Sequence, residues 1–278
     1  MNKVTIFCDG GLGNRLGVLI GGIITAKKLN LDYEICWPAN SWCGCDFVDL
    51  FDTNKNIINK NINELFLEDS DDVFLIHENQ TKYKLKKIYS HSLQTLELLK
   101  NCENNIIYYH NQIPKYYDKS EIINTLSSLK IKKNITDEVK KFSKEHDIVN
   151  RIGVHIRKTD FLPKVDDKII FDEIRNSNNL FFICSDDSET EKNFSNLLNV
   201  VIHNKKNYAE KLNPSTSWND KTVDYEGREF YFNIKRNSES VIEAFIDMLI
   251  LSRTKIYNNT MSTFLTFANH YSNLNLGI

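Results

Sequence analysis

VTIFCDGGLGNRLGVLIGGIITAKKL, residues 4–29, joins a short β-branched run, Val4 to Cys8, to a segment whose apolar residues Leu16, Leu19, Ile20, Ile23 and Ile24 recur at helical spacing. The glycines Gly10, Gly11 and Gly13 between them mark a strand-to-helix turn, the place where a backbone is held close to a ligand in dinucleotide-binding folds. A dinucleotide fits the spacing poorly. Gly11 and Gly13 make G-x-G, but the third glycine of G-x-G-x-x-G would fall at Leu16, and Gly17 is one residue late. The next apolar run, Tyr33 to Trp37, ends in Trp-Pro where a NAD site wants an acid for the ribose hydroxyls. A nicotinamide-dependent dehydrogenase is therefore disfavoured. Instead the turn carries Asn14 and Arg15, polar groups that can point at a ligand from the first helical turn, and a β-carbon at Gly11 or Gly13 is expected to intrude on that approach or to demand positive φ. The competing reading is a tight turn with no ligand.

Outward from this stretch, β-like runs continue to alternate with helix-period segments. Strands are expected at Tyr33 to Trp37, Val73 to Ile76 and Ile106 to Tyr109, with a helix at Leu93 to Leu99. A helix capped at Thr136 leads through polar Lys144 to Asp147 into a second α/β half. That half reads as strand Arg151 to Ile156, helix Ile169 to Arg175, strand Leu180 to Cys184, helix Ser188 to Leu198, strand Val200 to His203, helix Ser238 to Ser252, strand Lys255 to Tyr257 and helix Phe264 to Ser272. The class is α/β: two Rossmann-like domains with parallel sheets, 1–147 and 148–278, expected to face one another across a cleft whose floor is the Asp9 to Arg15 turn.

The totals narrow the partners. The chain has 278 residues, 41% hydrophobic and 26% charged, with a formal net charge of -2, so no electrostatic case exists for nucleic acid or an anionic membrane. The basic run KYKLKK, Lys82 to Lys87, reads as a solvated face. No apolar span approaches the roughly 20 residues of a membrane helix, the first apolar run breaks at Asp9 before it could serve as a signal sequence, and peripheral membrane association stays open. Six cysteines without a C-x-x-C pair point to a reducing, cytoplasmic setting, in which the N-x-S/T triplets at Asn79, Asn134, Asn193 and Asn258 are chance matches. Cys43-Gly44-Cys45 lacks the histidines a zinc site would want. Trp37, Trp42, Tyr108 and Tyr109 could stack on sugars, although core packing is the commoner use of such rings.

Ligands of parallel sheets sit beyond the carboxyl ends of the strands, and three strand-end loops of the second half are polar. GVHIRKTDF (153–161) alternates so as to put His155, Arg157 and Thr159 on one side; Arg157 suits bidentate phosphate contact, His155 adds a donor, and Asp160 can orient the arginine or simply pair with it at the surface. FFICSDDSETEKNF (181–194) places Asp186 and Asp187 between strand and helix, where one of them can be a helix cap; without D-x-D spacing or histidines, a metal is not expected. KIYNNTMSTFLTFAN (255–269) sets Thr260, Ser262 and Thr263 at the start of the last helix, where hydroxyls and free N–H groups can take a phosphate or merely cap it.

In order, H-x-R-[RK]-x-D at His155 to Asp160, a strand ending in Asp186-Asp187, a helix carrying Asp247 in Ile246-Asp247-Met248-Leu249, and T-x-S-[ST] at Thr260 to Thr263 resemble the GDP-fucose-dependent fucosyltransferases. The α1,6-fucosyltransferases, with the bacterial nodulation enzymes, are most similar, and the protein O-fucosyltransferases share the outline; Gly10 to Leu16 is similar to their G-x-x-G-N-[QR] turn. The resemblance implies a GT-B fold in which residues 1–147 form the acceptor side and 148–278 hold the nucleotide sugar. It implies Arg157 on the β-phosphate of GDP-fucose with His155 beside it, Asp247 accepting from the guanine edge, Ser262 and Thr263 by the phosphates, and Asp186 or Asp187 near base or ribose. Gly13, Asn14 and, less directly, Arg15 would contact the donor from the first domain. It also implies inversion at the anomeric carbon without a metal or other cofactor, and an oligosaccharide acceptor. Two departures stand out: Lys158 replaces a second arginine, and Phe161-Leu162-Pro163 leaves the base open, with Asp166 the first candidate and Asp167 the second. Another nucleotide sugar, or a binding module without catalysis, are the alternatives.

Overall fold

The alternating pattern folds into two parallel sheets in the computed structural model, which describes residues 2–61, 64–65, 73–76, 88–110, 113–159, 166–223, 229–230, 232–257 and 262–274. The chain divides into two units, Met1–Ala39 with Asp46–Lys130, and Asn40–Cys45 with Ile131–Ile278.

The first unit runs β1 (Lys3–Phe7), α1 (Leu12–Leu29), β2 (Asp32–Cys36), α2 (Phe47–Leu50), β3 (Phe51–Asp52), β4 (Ile57–Ile58), β5 (Val73–Ile76), β6 (Ile88–Ser90), α3 (Leu93–Leu99), β7 (Ile106–Tyr109) and α4 (Lys119–Ser128), and ends at β8 (Lys130–Ile131). Its sheet is parallel throughout, in the order β4-β2-β1-β7-β5-β6. The central strand β1 buries Val4 and Ile6 on one face and Thr5 and Phe7 on the other, as a strand covered on both faces requires. Helix α1 follows from Leu16, Leu19, Ile20 and Ile23, which bury one long stripe, and it stops at Asn30. Asn30 adopts the left-handed conformation at φ 55° and its N–H closes on the carbonyls of Ala26 and Lys27, while Lys27 and Lys28 complement the negative helix end.

The turn before α1 differs from expectation in one respect. The positive φ lies at Gly10 (82°), whereas Gly11 is the N-cap at φ -72° with open space where a β-carbon would sit, and Gly13 is already helical. Gly10 takes the strain because the chain must reverse between β1 and α1 there, and Arg15 then fixes the reversal: its Nε donates to the Gly10 carbonyl at 2.8 Å.

The second unit contains α5 (Lys133–Glu145), β9 (Ile152–Ile156), α6 (Asp167–Arg175), β10 (Phe181–Ser185), α7 (Ser188–Phe194), β11 (Val200–Ile202), β12 (Thr222–Val223), β13 (Glu229–Phe230), α8 (Ser238–Leu251), β14 (Lys255–Tyr257) and α9 (Thr263–Tyr271). Four strands form a parallel sheet in the order β11-β10-β9-β14, and β12 pairs antiparallel with β13. One face of the sheet packs Val154, Ile156 and Ile183 against Ile170, Ile174 and Phe194 of α6 and α7. On α5, Phe142 packs edge-on against Phe182 and His203. This contact explains why the units divide at Lys130 rather than at the expected Asp147: Ile135, Val139 and Phe142 make α5 an outer layer of the second sheet. The helix also begins three residues before Thr136, with Lys133 reaching the carboxylate of Asp137 across one turn.

All six cysteines are free thiols. Cys43 and Cys45 are fully buried, with sulfurs 3.8 Å apart. Among the described residues no helix is long and apolar enough to cross a membrane, and no group of three or more His, Cys, Asp or Glu residues is placed to hold a metal ion.

The glycine turn is testable. Gly10→Ala forces a β-carbon into positive φ and to within 3.2 Å of the Asn14 amide, and it should cost about 1–2 kcal/mol. Gly11→Ala, built into open space at ordinary φ, should stay within about 0.5 kcal/mol of wild type. Urea unfolding of the pair checks this; equal losses would contradict the assignment of strain to Gly10.

Candidate functional site

The polar loops after β9 and β10 meet at the carboxyl end of the second sheet, on one carboxylate. Asp186 follows directly on β10, and its Oδ1 accepts the Lys158 backbone N–H at 2.8 Å while its Oδ2 accepts the Thr159 hydroxyl. The loop leaving β9 is thereby clasped to the end of β10, with Arg157 at its start, partly exposed. Neighbouring Asp187 does what its position before a helix suggested: it caps α7, accepting Thr190 N–H at 2.8 Å and the Thr190 hydroxyl at 2.7 Å. Of the adjacent acids, one ties two loops together and the other caps a helix.

His155, on the face of β9 opposite Val154 and Ile156, is buried and stacks on Phe264 with ring centroids 4.4 Å apart and planes 18° from parallel. Burial pulls its pKa down to about 4, so the imidazole is neutral near pH 7. Phe264 belongs to the first turn of α9, whose cap is Ser262, accepting Leu265 N–H at 3.1 Å, with Thr263 the first helical residue. The stack therefore brings the positive pole of α9 to the end of β9, beside the arginine loop. Asp166 caps α6 by accepting Lys168 N–H at 2.9 Å and is exposed, while Asp167 pairs with the Lys158 ammonium. Asp160 and Thr260 lie outside the described residues, as do Phe161, Leu162 and Pro163.

Asp247 and Arg15 are placed differently from expectation. Asp247 is 2% exposed on α8; its Oδ2 receives the Lys205 ammonium and its Oδ1 stands 3.3 Å from His203 Nδ1. The ammonium thus takes one oxygen of the carboxylate, while Oδ1 faces His203 without a hydrogen bond to it. Lys205 is also buried and is saturated, donating also to the Ser185 carbonyl and to Glu191, each at 2.6 Å, and Glu191 in turn accepts Ser185 N–H and the Tyr208 hydroxyl. Burial alone would depress the Lys205 pKa, but Asp247 and then Glu191 more than reverse it and hold it well above the ordinary lysine range. In the first unit, Arg15 is fully buried, its Nη2 donating to Pro38 O at 2.8 Å and its guanidinium 5.0 Å over the Trp37 ring. That geometry corrects the expected donor contact: Arg15 ties the glycine turn to the end of β2 and presents no surface to a ligand. Asn14 remains partly exposed in the first turn of α1, next to buried Gly13, and α1 has neither a side-chain cap nor an acid in that turn.

Lys205, His203 and Glu191 were not singled out by the sequence. Nothing local marks them, because their partners lie on elements that only the fold brings together.

No family model matches the sequence, and no curated protein matches it. Solved structures do. Fucosyltransferase NodZ from Bradyrhizobium matches at TM-score 0.59 and 15% identity over 96% of this chain and 91% of the other. A NodZ alpha-1,6-fucosyltransferase soaked with GDP-fucose matches at 0.58 and 15% over 97% and 92%, and POFUT1 in complex with GDP-fucose at 0.51 and 11% over 97% and 94%. The chain has the GT-B fold of these fucosyltransferases. At such identity the likeness reaches the order and course of the elements, and the side chains must be read on their own chemistry.

Two outcomes follow from the buried ions. Lys205→Met leaves Asp247 and Glu191 buried without their cation and should cost about 3–5 kcal/mol, measured by denaturant unfolding. For His203, burial works against the proton, but Asp247 and then Glu138 more than reverse this and raise the pKa above the ordinary value near 6.5. The folded chain thus binds that proton more tightly than the unfolded chain. Its contribution is complete below about pH 6.5 and is lost as pH rises through the raised value. His203→Gln should accordingly flatten the decline of stability above neutral pH, and an unchanged slope would sever His203 from it.

Proposed function

We propose that the protein is an inverting glycosyltransferase that moves L-fucose from GDP-fucose to a hydroxyl of a glycan acceptor without a metal ion. The observation that carries this reading is the meeting of Arg157, neutral His155 and the Ser262-capped end of α9 at the carboxyl end of the second sheet, on a fold shared with proteins crystallised with GDP-fucose. In the reaction the acceptor oxygen attacks the anomeric carbon from the face opposite GDP. The bond from that carbon to the β-phosphate oxygen breaks, and the acceptor proton passes to a base. Negative charge appears on the departing phosphate as the bond lengthens, so a guanidinium fixed there stabilises the transition state more than the bound donor. Arg157 is assigned this role, the positive pole of α9 supports it, and His155, held neutral by burial, offers a hydrogen bond without adding charge. Asp166 is assigned as base, with Asp167 second because its carboxylate already neutralises Lys158. The uncapped first turn of α1, with Gly13 and Asn14, is assigned to the donor from the first unit. Six free thiols accord with a cytoplasmic setting.

A second reading, transfer from another nucleotide sugar, draws on the pairing of Asp247 with Lys205, which takes up one oxygen of the carboxylate expected to read guanine. Radiolabelled GDP-fucose, GDP-mannose and UDP-sugars offered separately, with turnover scored as hydrolysis or transfer, distinguish the two.

With GDP-fucose as donor, Arg157→Lys should keep the charge, lose the two-pronged contact and slow turnover by about 10²-fold or more. Asp166→Asn should also slow transfer while leaving GDP affinity unchanged, and activity should survive EDTA. Wild-type rates in a folded Arg157→Lys variant would overturn the assignment, and loss in EDTA restored by Mn²⁺ would overturn metal independence.

A further inference from the structure

Three large aliphatic side chains stand bare at the amino end of the second sheet, the end away from the candidate site. Val149 is 65% exposed, Leu180 43%, and Leu198 wholly so. Register makes them neighbours: Ile152, Phe181 and Val200 lie abreast on β9, β10 and β11, and each aliphatic stands one to three residues before one of them. Ile152 N–H donates to Leu180 O at 2.9 Å and Phe181 N–H to Asn199 O at 2.8 Å, which ties the row together. Exposed aliphatics scattered singly are ordinary, whereas a row of them at one edge marks a surface that something covers.

Cations surround this row. Helices α5, α6 and α7 lead into the amino ends of β9, β10 and β11 and carry Lys144, Arg175 and Lys192 in their last turns. Lys140 lies one turn before Lys144 on exposed α5 surface, with Lys141 beside it, and Lys255 opens β14 opposite Ile152. Among the described residues none of these six is in an ion pair. Arg151 gives its donors to the carbonyls of His146 and Phe181. The exposed acids of the same turns, Glu145, Asp147, Asp172 and Glu173, are fewer than the cations. The formal charge of the whole chain, -2, conceals this local surplus, which acts over a screening length of about 10 Å.

The helix dipole accounts for cations in last turns, but for neither the aliphatics nor Lys255. A two-fold contact with a second copy would set the cations against their own kind. Nucleic acid would engage the cations and leave the leucines in water. An anionic bilayer takes both, aliphatics at the boundary between headgroups and acyl chains and cations against lipid phosphates. We propose that the amino edge of the second sheet docks on an anionic lipid bilayer. The candidate donor site, at the other end of the same strands, faces away from that bilayer.

Cosedimentation of the full chain with vesicles of phosphatidylcholine, with and without phosphatidylglycerol, tests this. The wild type should bind the anionic vesicles about tenfold or more tightly than the neutral ones and lose that preference at high salt. Val149→Ser with Leu198→Ser, and separately Lys144→Gln with Arg175→Gln, should each weaken binding to anionic vesicles by about tenfold or more at an unchanged melting temperature. Leu98→Ser, at another exposed leucine, on α3 of the first unit, should stay within about twofold of wild type. Absence of binding, or equal affinity for both vesicles, overturns the inference. A serine pair that binds as the wild type does also overturns it, since charge alone then acts and duplex DNA competes for the face. Self-association that Leu198→Ser abolishes, without vesicle binding, assigns the row to a second copy instead. If the serine pair does not fold, Leu198→Ser alone is read in its place. The donor reading stands under every one of these outcomes.

Discussion

The second unit depends on a buried lysine. Lys205 reaches from the segment after β11 to a carbonyl at the end of β10, to Glu191 on α7 and to Asp247 on α8, so one ammonium joins four pieces of chain at the end of the sheet where ligands are expected. Burying three charges is unfavourable unless each is paired and its remaining hydrogen bonds are made. Here Ser185 N–H and the Tyr208 hydroxyl complete Glu191, and His203 stands against the free side of Asp247. An apolar cluster could pack as densely, but it would not prescribe which strand end meets which helix. The ion cluster does, and the clasp at Asp186 sits one residue beyond the carbonyl it holds.

The first unit solves the same problem with a different cation. Arg15 is buried against Trp37 and bonded to two backbone carbonyls, at Gly10 and Pro38, so the loops after β1 and β2 share one guanidinium. In both units the loop geometry at the carboxyl ends is set by an internal cation rather than by the loop's own sequence.

This division explains what was legible beforehand. Strands β1, β2, β5 and β7 of the first sheet, the strands of the second sheet, the long helix α1 and the last helix follow from apolar periodicity, which acts over a few residues and can be read locally, whereas the short strands β4 and β6 were not expected. The ends of α5 and the boundary between units could not be read so, because Phe142 belongs to the second sheet only through Phe182 and His203. At the site, Arg157 and His155 are conspicuous as charged or titratable residues closing an apolar strand, and Ser262 as a cap. Arg15 and Asp247 looked equally available; their partners Pro38, Lys205 and His203 are distant in sequence, and nothing in the residue types distinguishes a carboxylate offered to a ligand from one consumed by a buried lysine.

The grouping of Asn40–Cys45 with the second unit has a consequence for how the chain is synthesised and how it can be divided. Residues 40–45 leave the ribosome long before Ile131, yet they belong to the later unit, and the larger part of the first unit, Asp46–Lys130, is spelled out between them. The second sheet can assemble from the later residues alone, but the segment around Arg236 has to wait for a loop of roughly that length to close. Closing it is a modest entropic cost, since that cost grows only with the logarithm of length. The two halves are therefore not independent modules: a fragment beginning at Ile131 would carry its own strands and ion cluster and would still lack Ser41 and Gly44, the two backbone partners of Arg236.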